Sequence, residues 1–267
     1  MGQRVFLEGA QFTSPKFPII RDDKSLNAGS LFMLDPSHTL SQLSGVPVDN
    51  QQLYNVAWKE AKGLIGSGDS DTLRGTFKNG LGAHGLFERS AKGGLHGIVS
   101  QTTKTNQNAK ILLPSAVLDY LTANPSRNYA VFFWSRLTRL RTTNDVREYL
   151  IAGTPDPLQN NLINGWFANQ LGPQRASINK PTGWVGTPVG RTLQVGVPAW
   201  GSPDSYTHIN QKASSSFIVY RVHIIDVAAS GKTFAQLEAE DVALYDSMFA
   251  EGGKFYDDTF TSPAVLP

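Results

Sequence analysis

The chain has 267 residues, 24 of them basic and 22 acidic, with 40% hydrophobic residues, 17% charged residues and no cysteine. That balance belongs to a folded domain rather than a disordered chain, and it excludes disulfides, thiolate metal sites and a cysteine nucleophile. A net charge of +2, with acids and bases interspersed, argues against nucleic acid as a partner, since phosphate neutralisation calls for a basic stripe.

Glycine (25) and proline (15) are spread along the chain, which suits many turns and short strands more than a helical bundle. Met1-Gly2-Gln3-Arg4-Val5 has no apolar signal core, and Phe6 breaks the myristoylation pattern, so neither a secretory signal nor a lipid anchor is expected. No apolar run approaches the ~18 residues of a membrane span.

Residues 1–28 read as an extended arm, too poor in internal partners to bury Val5-Phe6-Leu7 or Phe17-Pro18-Ile19-Ile20 by themselves. The main domain, 29–267, opens with a strand at Gly29–Asp35. Asp49 to Ile65 predicts a helix, with Leu53, Val56, Ala57, Ala61 and Leu64 at helical spacing and Gly66-Ser67-Gly68 as its stop. Residues 66–94 read as a long polar, Gly-rich loop with room for one short strand.

Leu95–Gln101 is a short strand, and Pro114–Ala123 a short helix with proline at its start. Tyr129–Leu137 is the clearest strand; its first six residues are apolar on both faces, as in a strand covered on two sides. Tyr149–Ala152, Gly165–Ala168 and Thr192–Val195 are further short strands. In the strand Phe217–Asp226, strict alternation puts Ile218, Tyr220, Val222 and Ile224 on a core face, with Arg221 and His223 opposite. Thr233–Phe249 is an amphipathic helix, and 252–267 an extended tail. The expected fold is mainly β: an antiparallel sandwich with two or three short helices.

The motifs that resemble chemistry do not complete it. Ser230-Gly231-Lys232-Thr233 follows a strand and opens a helix, but Asp226 stands where a phosphate loop needs its first glycine, so it reads as a helix start. Gly80-Leu81-Gly82-Ala83-His84-Gly85 lacks the strand and helix of a dinucleotide fingerprint. The histidines His38, His84, His96, His208 and His223 have no helical metal-ligand spacing, and Asp69-Ser70-Asp71 departs from a calcium loop at Leu73.

No strand carries the paired carboxylates of a glycosidase. Glu238-Ala239-Glu240-Asp241 reads as a solvated helix face, and Arg136, Arg139 and Arg141 as a solvated or partner-facing edge. No catalytic residue, metal ligand or cofactor is therefore assigned. Trp184 and Trp200, in Gly/Pro-rich segments, are the candidate interface or glycan contacts, with Arg221 and His223 as polar partners.

The strand around Trp134, the strand Arg221–Asp226 and the late helix Ala239–Tyr245 resemble the laminin-G/concanavalin-like jelly-roll sandwich. Lys92–Ser100 and Gly253–Thr261 are similar to sandwich proteins of tailed-bacteriophage particles. The resemblance implies a non-enzymatic virion protein of tail, baseplate or head decoration, assembled in the host cytoplasm. Its expected partners are copies of itself and other virion proteins, with arm and tail reaching over neighbours. A lectin-like module for host glycans and a glycan-cleaving enzyme are the other functions found on that fold.

Overall fold

The computed structural model describes residues 21–41, 43, 45–102, 108–142, 148–152, 161–180, 194–201 and 214–267. Trp184 and residues 1–20 of the expected arm lie outside them. In chain order, β1 (Ser30–Leu34) and β2 (Gln52–Leu53) precede helix α1 (Trp58–Ile65). Then come β3 (Gly75–Asn79), β4 (Gly85–Arg89), β5 (Leu95–Val99), β6 (Asn108–Leu112) and α2 (Ser115–Ala123). The long β7 (Tyr129–Arg139) is followed by β8 (Tyr149–Ala152), β9 (Asn161–Gly165) and β10 (Gly172–Lys180). The rest comprises β11 (Gln194–Gly196), β12 (Ala199–Gly201), β13 (Ser216–Asp226), α3 (Val227–Ser230) and α4 (Phe234–Phe249).

The protein is mainly β, built on antiparallel sheets. The largest has the order β10-β7-β13-β5-β4, with β1 added beside β13. Strand β5 pairs Phe217–Val219 of β13 and β1 pairs its later half, so these two short strands share one edge of β13 while β7 occupies the other. A second sheet has the order β12-β6-β3-β2, and a three-stranded sheet the order β11-β8-β9.

The main core joins the inner faces of the large and second sheets, where Phe77, Phe87, Trp200 and Phe217 form a continuous run of rings at centroid spacings of 5.1, 5.2 and 4.9 Å. Buried residues of α1 and α2, such as Ala61 and Leu121, belong to the same core. Helix α4 and the C-terminal tail cover the outer face of the large sheet. Its Ala130, Phe132, Trp134, Ile218 and Tyr220 pack there against Leu237, Leu244 and Phe255. Strands β7 and β13 are thus buried on both faces, as the doubly apolar run at 129–134 predicts.

Several elements differ from expectation. Helix α1 begins only at Trp58, because Asn50 takes a positive φ of 66°, Gln52–Leu53 pairs with β3, and the Asn55 side chain bonds the backbone of Leu31, Met33 and Ala57. The loop expected at 66–94 contains two strands, β3 and β4, whose half-polar sequences gain strand structure from pairing with β6 and β5. Strands β6 and β10 have no sequence signal of their own and are held by their neighbours. Strand β9 ends where a strand at 165–168 is expected to begin.

The tail does not reach outward, contrary to expectation. Asp258 accepts from the Tyr220 hydroxyl at 2.8 Å and the Lys92 amide at 2.7 Å, Thr261 donates to Glu88, and the Pro267 carbonyl accepts from the Gln101 amide. Two of the arginines expected at a solvated or partner-facing edge hold this strap instead. Arg136 donates to the Asp258 carbonyl, and Arg139 to those of Pro263 and Leu266.

Face-to-face packing leaves no room at Gly97. A Cβ there meets Trp200 ring atoms at 2.6 Å and a Phe87 ring atom at 2.7 Å. Gly97→Ala is expected to lower stability by about 1–3 kcal/mol through overpacking, read as a lower urea midpoint. An unchanged midpoint would contradict the packing of the two sheets at this point.

Candidate functional site

The polar chemistry of the interior originates in a bulge. On β7, the residue facing Val219 is Ser135 and the residue facing Arg221 is its immediate neighbour Trp134, so Tyr220 is the extra residue in β13. An extra residue inverts the alternation of everything beyond it. Phe217 and Val219 therefore face the main core together with Val222 and Ile224, while Ile218 and Tyr220 face the helix layer. The expected single face of Ile218, Tyr220, Val222 and Ile224 is corrected accordingly. Arg221 and His223 lie opposite Val222 and Ile224, as expected, but that face is the α4 side and both are buried rather than available as surface contacts.

Arg221, only 3% exposed, lies over the Trp134 ring at 4.5 Å. Its guanidinium reaches Asp23 at 2.9 Å, Asp35 at 3.1 Å and the Ser25 hydroxyl at 3.1 Å. These bonds tie residues 21–28, whose Leu26 and Asn27 are buried, onto the body. Burial pushes the Asp23 carboxyl up, but Arg221 and the Ser25 hydrogen bonds outweigh it and hold the group down at about 2.

On the other side of Trp134, the indole Nε1 donates to both oxygens of Asp241, at 3.1 and 3.2 Å, and Arg175 Nε donates to the same carboxylate at 2.5 Å. Glu238 accepts from Ser177 and pairs with Arg175. Part of the acidic run expected to be a solvated face thus lies against β10, and Asp241 is buried there. Burial raises the Asp241 carboxyl despite Arg175.

Between α4 and the 21–28 segment lies a cleft of about 540 Å³ with Phe132, His223 and Ile225 among its lining residues. His223 Nε2 is 3.0 Å from the Ser30 hydroxyl, and burial together with Arg221 pushes the imidazole down to about 3, so it is neutral at ordinary pH.

Two further clusters were not legible in the sequence. His96 lies between Glu88, 2.8 Å from Nδ1, and the Thr138 hydroxyl, 2.8 Å from Nε2. The spacing matches an acid–base–hydroxyl relay. However, the Phe260 ring packs against the imidazole at 5.2 Å and Thr261 occupies both oxygens of Glu88, so the cluster fastens the tail. Glu148, fully buried, accepts from the Ser215 hydroxyl and the Phe167 amide, with Arg141 at 3.8 Å. Burial raises its carboxyl in spite of those bonds. Arg141 is accordingly not at a solvated edge.

Trp200, expected in a loop as an interface or glycan contact, is instead in β12, fully buried and stacked on Phe217, with its Nε1 donating to the Phe217 carbonyl. It offers no ring to a glycan. Ser230–Thr233 forms a helix junction, with Gly231 left-handed after α3 and Thr233 capping α4 through a capping box with Gln236. Among the described residues no group of three His, Asp or Glu side chains is placed to hold a metal ion. Comparison with protein-family models, with curated proteins and with solved structures gives no match, so the geometry alone carries the functional reading.

Arg221→Leu leaves Asp23 and Asp35 buried without their cation and is expected to cost about 3–5 kcal/mol, measured by chemical unfolding. Because folding holds Asp23 below its ordinary 3.8, its contribution is present above that value and is lost as pH falls toward 2. In Asp23→Asn the part of the acid destabilisation between pH 4 and 2 that belongs to this group should disappear. An unaltered slope would show that the Arg221 pair does not set it.

Proposed function

We propose that the chain is a non-enzymatic structural subunit of a larger assembly, acting through contacts with copies of itself and with other assembly proteins. The observation that carries this reading is a set of exposed large apolar side chains in the segments next to the paired ends of β7 and β10. Leu140 (39% exposed) follows β7, and Trp166 (40%) and Leu171 (58%) lie between β9 and β10, whose first residue Gly172 pairs with Leu137 near the end of β7. Asn169 fixes the local geometry by bonding the Arg141 backbone at both N–H and C=O, and Arg141 lies 5.7 Å from the Trp166 ring centroid. Exposed large apolar side chains near one another on a surface mark interaction sites more often than scattered ones do.

The interior charges support the same reading. Arg221, Asp241, His96, Glu148 and the strap-binding arginines each form bonds that hold one part of the chain to another. A concanavalin-like jelly roll, a bacteriophage virion and a place in its tail, baseplate or head decoration are the finer form of the proposal. They rest on the segments around Trp134, Lys92–Ser100 and Gly253–Thr261.

The test is sedimentation velocity of the full chain beside the double variant Leu140→Asp, Leu171→Asp. A concentration-dependent oligomer is expected for the parent chain and a shift toward monomer for the variant, with far-UV circular dichroism unchanged. A parent chain that stays monomeric at all concentrations, or a variant that associates as before, would count against this surface.

A further inference from the structure

Strand β10 closes one end of the large sheet, and its outer side has a character that the other sheet margins lack. Its nine residues pair with β7 from Gly172↔Leu137 to Lys180↔Tyr129 without a register shift. The β1–β13, β8–β11, β7–β13 and β8–β9 ladders each contain at least one shift. Both faces of β10 are engaged. Ala176 and Ile178 pack against the main core, and Arg175 and Ser177 bond Asp241 and Glu238 of α4. Yet none of the nine residues is buried, while all eleven of β13 are. With the faces occupied, that exposure enters along the edge.

A sheet edge carries a row of backbone N–H and C=O groups that pair readily with another extended chain. Among the described residues no strand pairs with the outer side of β10 and no loop backbone bonds to it. Native edges are blunted by bulges, prolines or charged side chains. In β10 such residues stand at the two ends, Pro173 and Lys180, and the one charge in the middle, Arg175, is turned into the helix layer and met by Asp241. The opposite margin, β4, is only five residues long and ends in Arg89, which is tied to the carbonyls of Pro36, Leu43 and Gly93.

We propose that β10 pairs edge to edge with β10 of a second copy, antiparallel about a two-fold axis, so that the large sheet runs on from one copy into the other. This pairing rests on the reading that copies of the chain associate, and it names the bond between them. Leu171 directly precedes Gly172, so the edge starts at the surface proposed above. A second β10 is the occupant that matches in length, since the strands at the other sheet margins have two to five residues. Pairing like with like also closes the assembly, because both copies use the same patch. Opposed residues in an antiparallel ladder turn their backbone groups the same way, so the axis must pass where a residue faces its own copy. With the axis at Ala176 all nine residues have a partner. Arg175 then faces Ser177 and Lys180 faces Gly172, with no like charges opposed.

The chain has no cysteine, so a single introduced thiol reports this contact alone. Directly opposed residues have Cα atoms about 4.5–5.5 Å apart, within the ~4.4–6.8 Å that a disulfide spans. Ala176→Cys in the full chain should therefore cross-link to a dimer under mild oxidation with copper phenanthroline, read on a non-reducing gel. Asn179→Cys lies three residues from the axis, which holds its two sulfurs on the order of 20 Å apart, and should stay uncross-linked.

Ser177→Lys sets a lysine against Arg175 of the second copy and should raise the dimer dissociation constant at least about fivefold in sedimentation velocity. If circular dichroism shows that variant to be misfolded, the two cysteine variants decide. Equal cross-linking of both cysteine variants, or of neither, would overturn the pairing, as would an unchanged dissociation constant in a folded Ser177→Lys. A parent chain that associates through Leu140 and Leu171 but gives no Ala176→Cys dimer would remove the edge and leave that surface standing. A parent chain that is monomeric throughout would overturn both.

Discussion

Strand β13 has neighbours along both edges and packed layers on both faces, and one extra residue decides what each layer receives. With Tyr220 bulged, Phe217, Val219, Val222 and Ile224 all point into the main core, while Tyr220, Arg221 and His223 are delivered to the helix side. Without the bulge, the four core residues could not share a face, because alternation has a period of two. Arg221, placed on that side, then needs counter-charges in a medium where an unpaired ion costs several kcal/mol. Asp23 and Asp35 supply them.

From that point the outer layer follows as a connected seam. Arg221 lies over Trp134, Trp134 donates to Asp241, and Asp241 accepts from Arg175 on β10. The seam links the 21–28 segment to β13, then to β7, α4 and β10, so the cleft has a wall on each side and a sheet beneath it. The tail strap repeats the arrangement farther along the same face, with Glu88, Arg136 and Arg139 in place of the acids and arginine above. Burying so many ionic groups contributes little net stability. Its effect is to fix which segment lies where.

This arrangement accounts for what the interior charges do. Each buried carboxylate accepts at least one hydrogen bond from a segment distant in sequence, and the one hydroxyl–imidazole–carboxylate relay is closed over by Phe260 and Thr261. These charges face inward, and Leu140, Trp166 and Leu171 are among the large apolar side chains that remain exposed. Asn169, bonded to both backbone groups of Arg141, joins the segments that carry Leu140 and Leu171.

The sequence by itself determined the mainly β character, the two long strands buried on both faces, the start of α4 at Thr233 and the failure of the phosphate-loop pattern. Each of these depends on residues adjacent in the chain: an apolar run, a capping box, an aspartate in place of a glycine. Tertiary structure decided the rest. A one-residue bulge has no local signature, so the main-core face of β13 was read correctly only beyond Tyr220, at Val222 and Ile224, and wrongly at Ile218 and Tyr220. The pairs Asp23–Arg221 and Glu88–Thr261 join residues 198 and 173 positions apart, and no spacing rule reaches across such a distance. Trp200 has the neighbours of a loop residue in sequence, but pairing with β6 and the stack on Phe217 make it core. Strands β6 and β10 exist because a sheet edge was there to receive them, which is a property of the fold and not of their own residues.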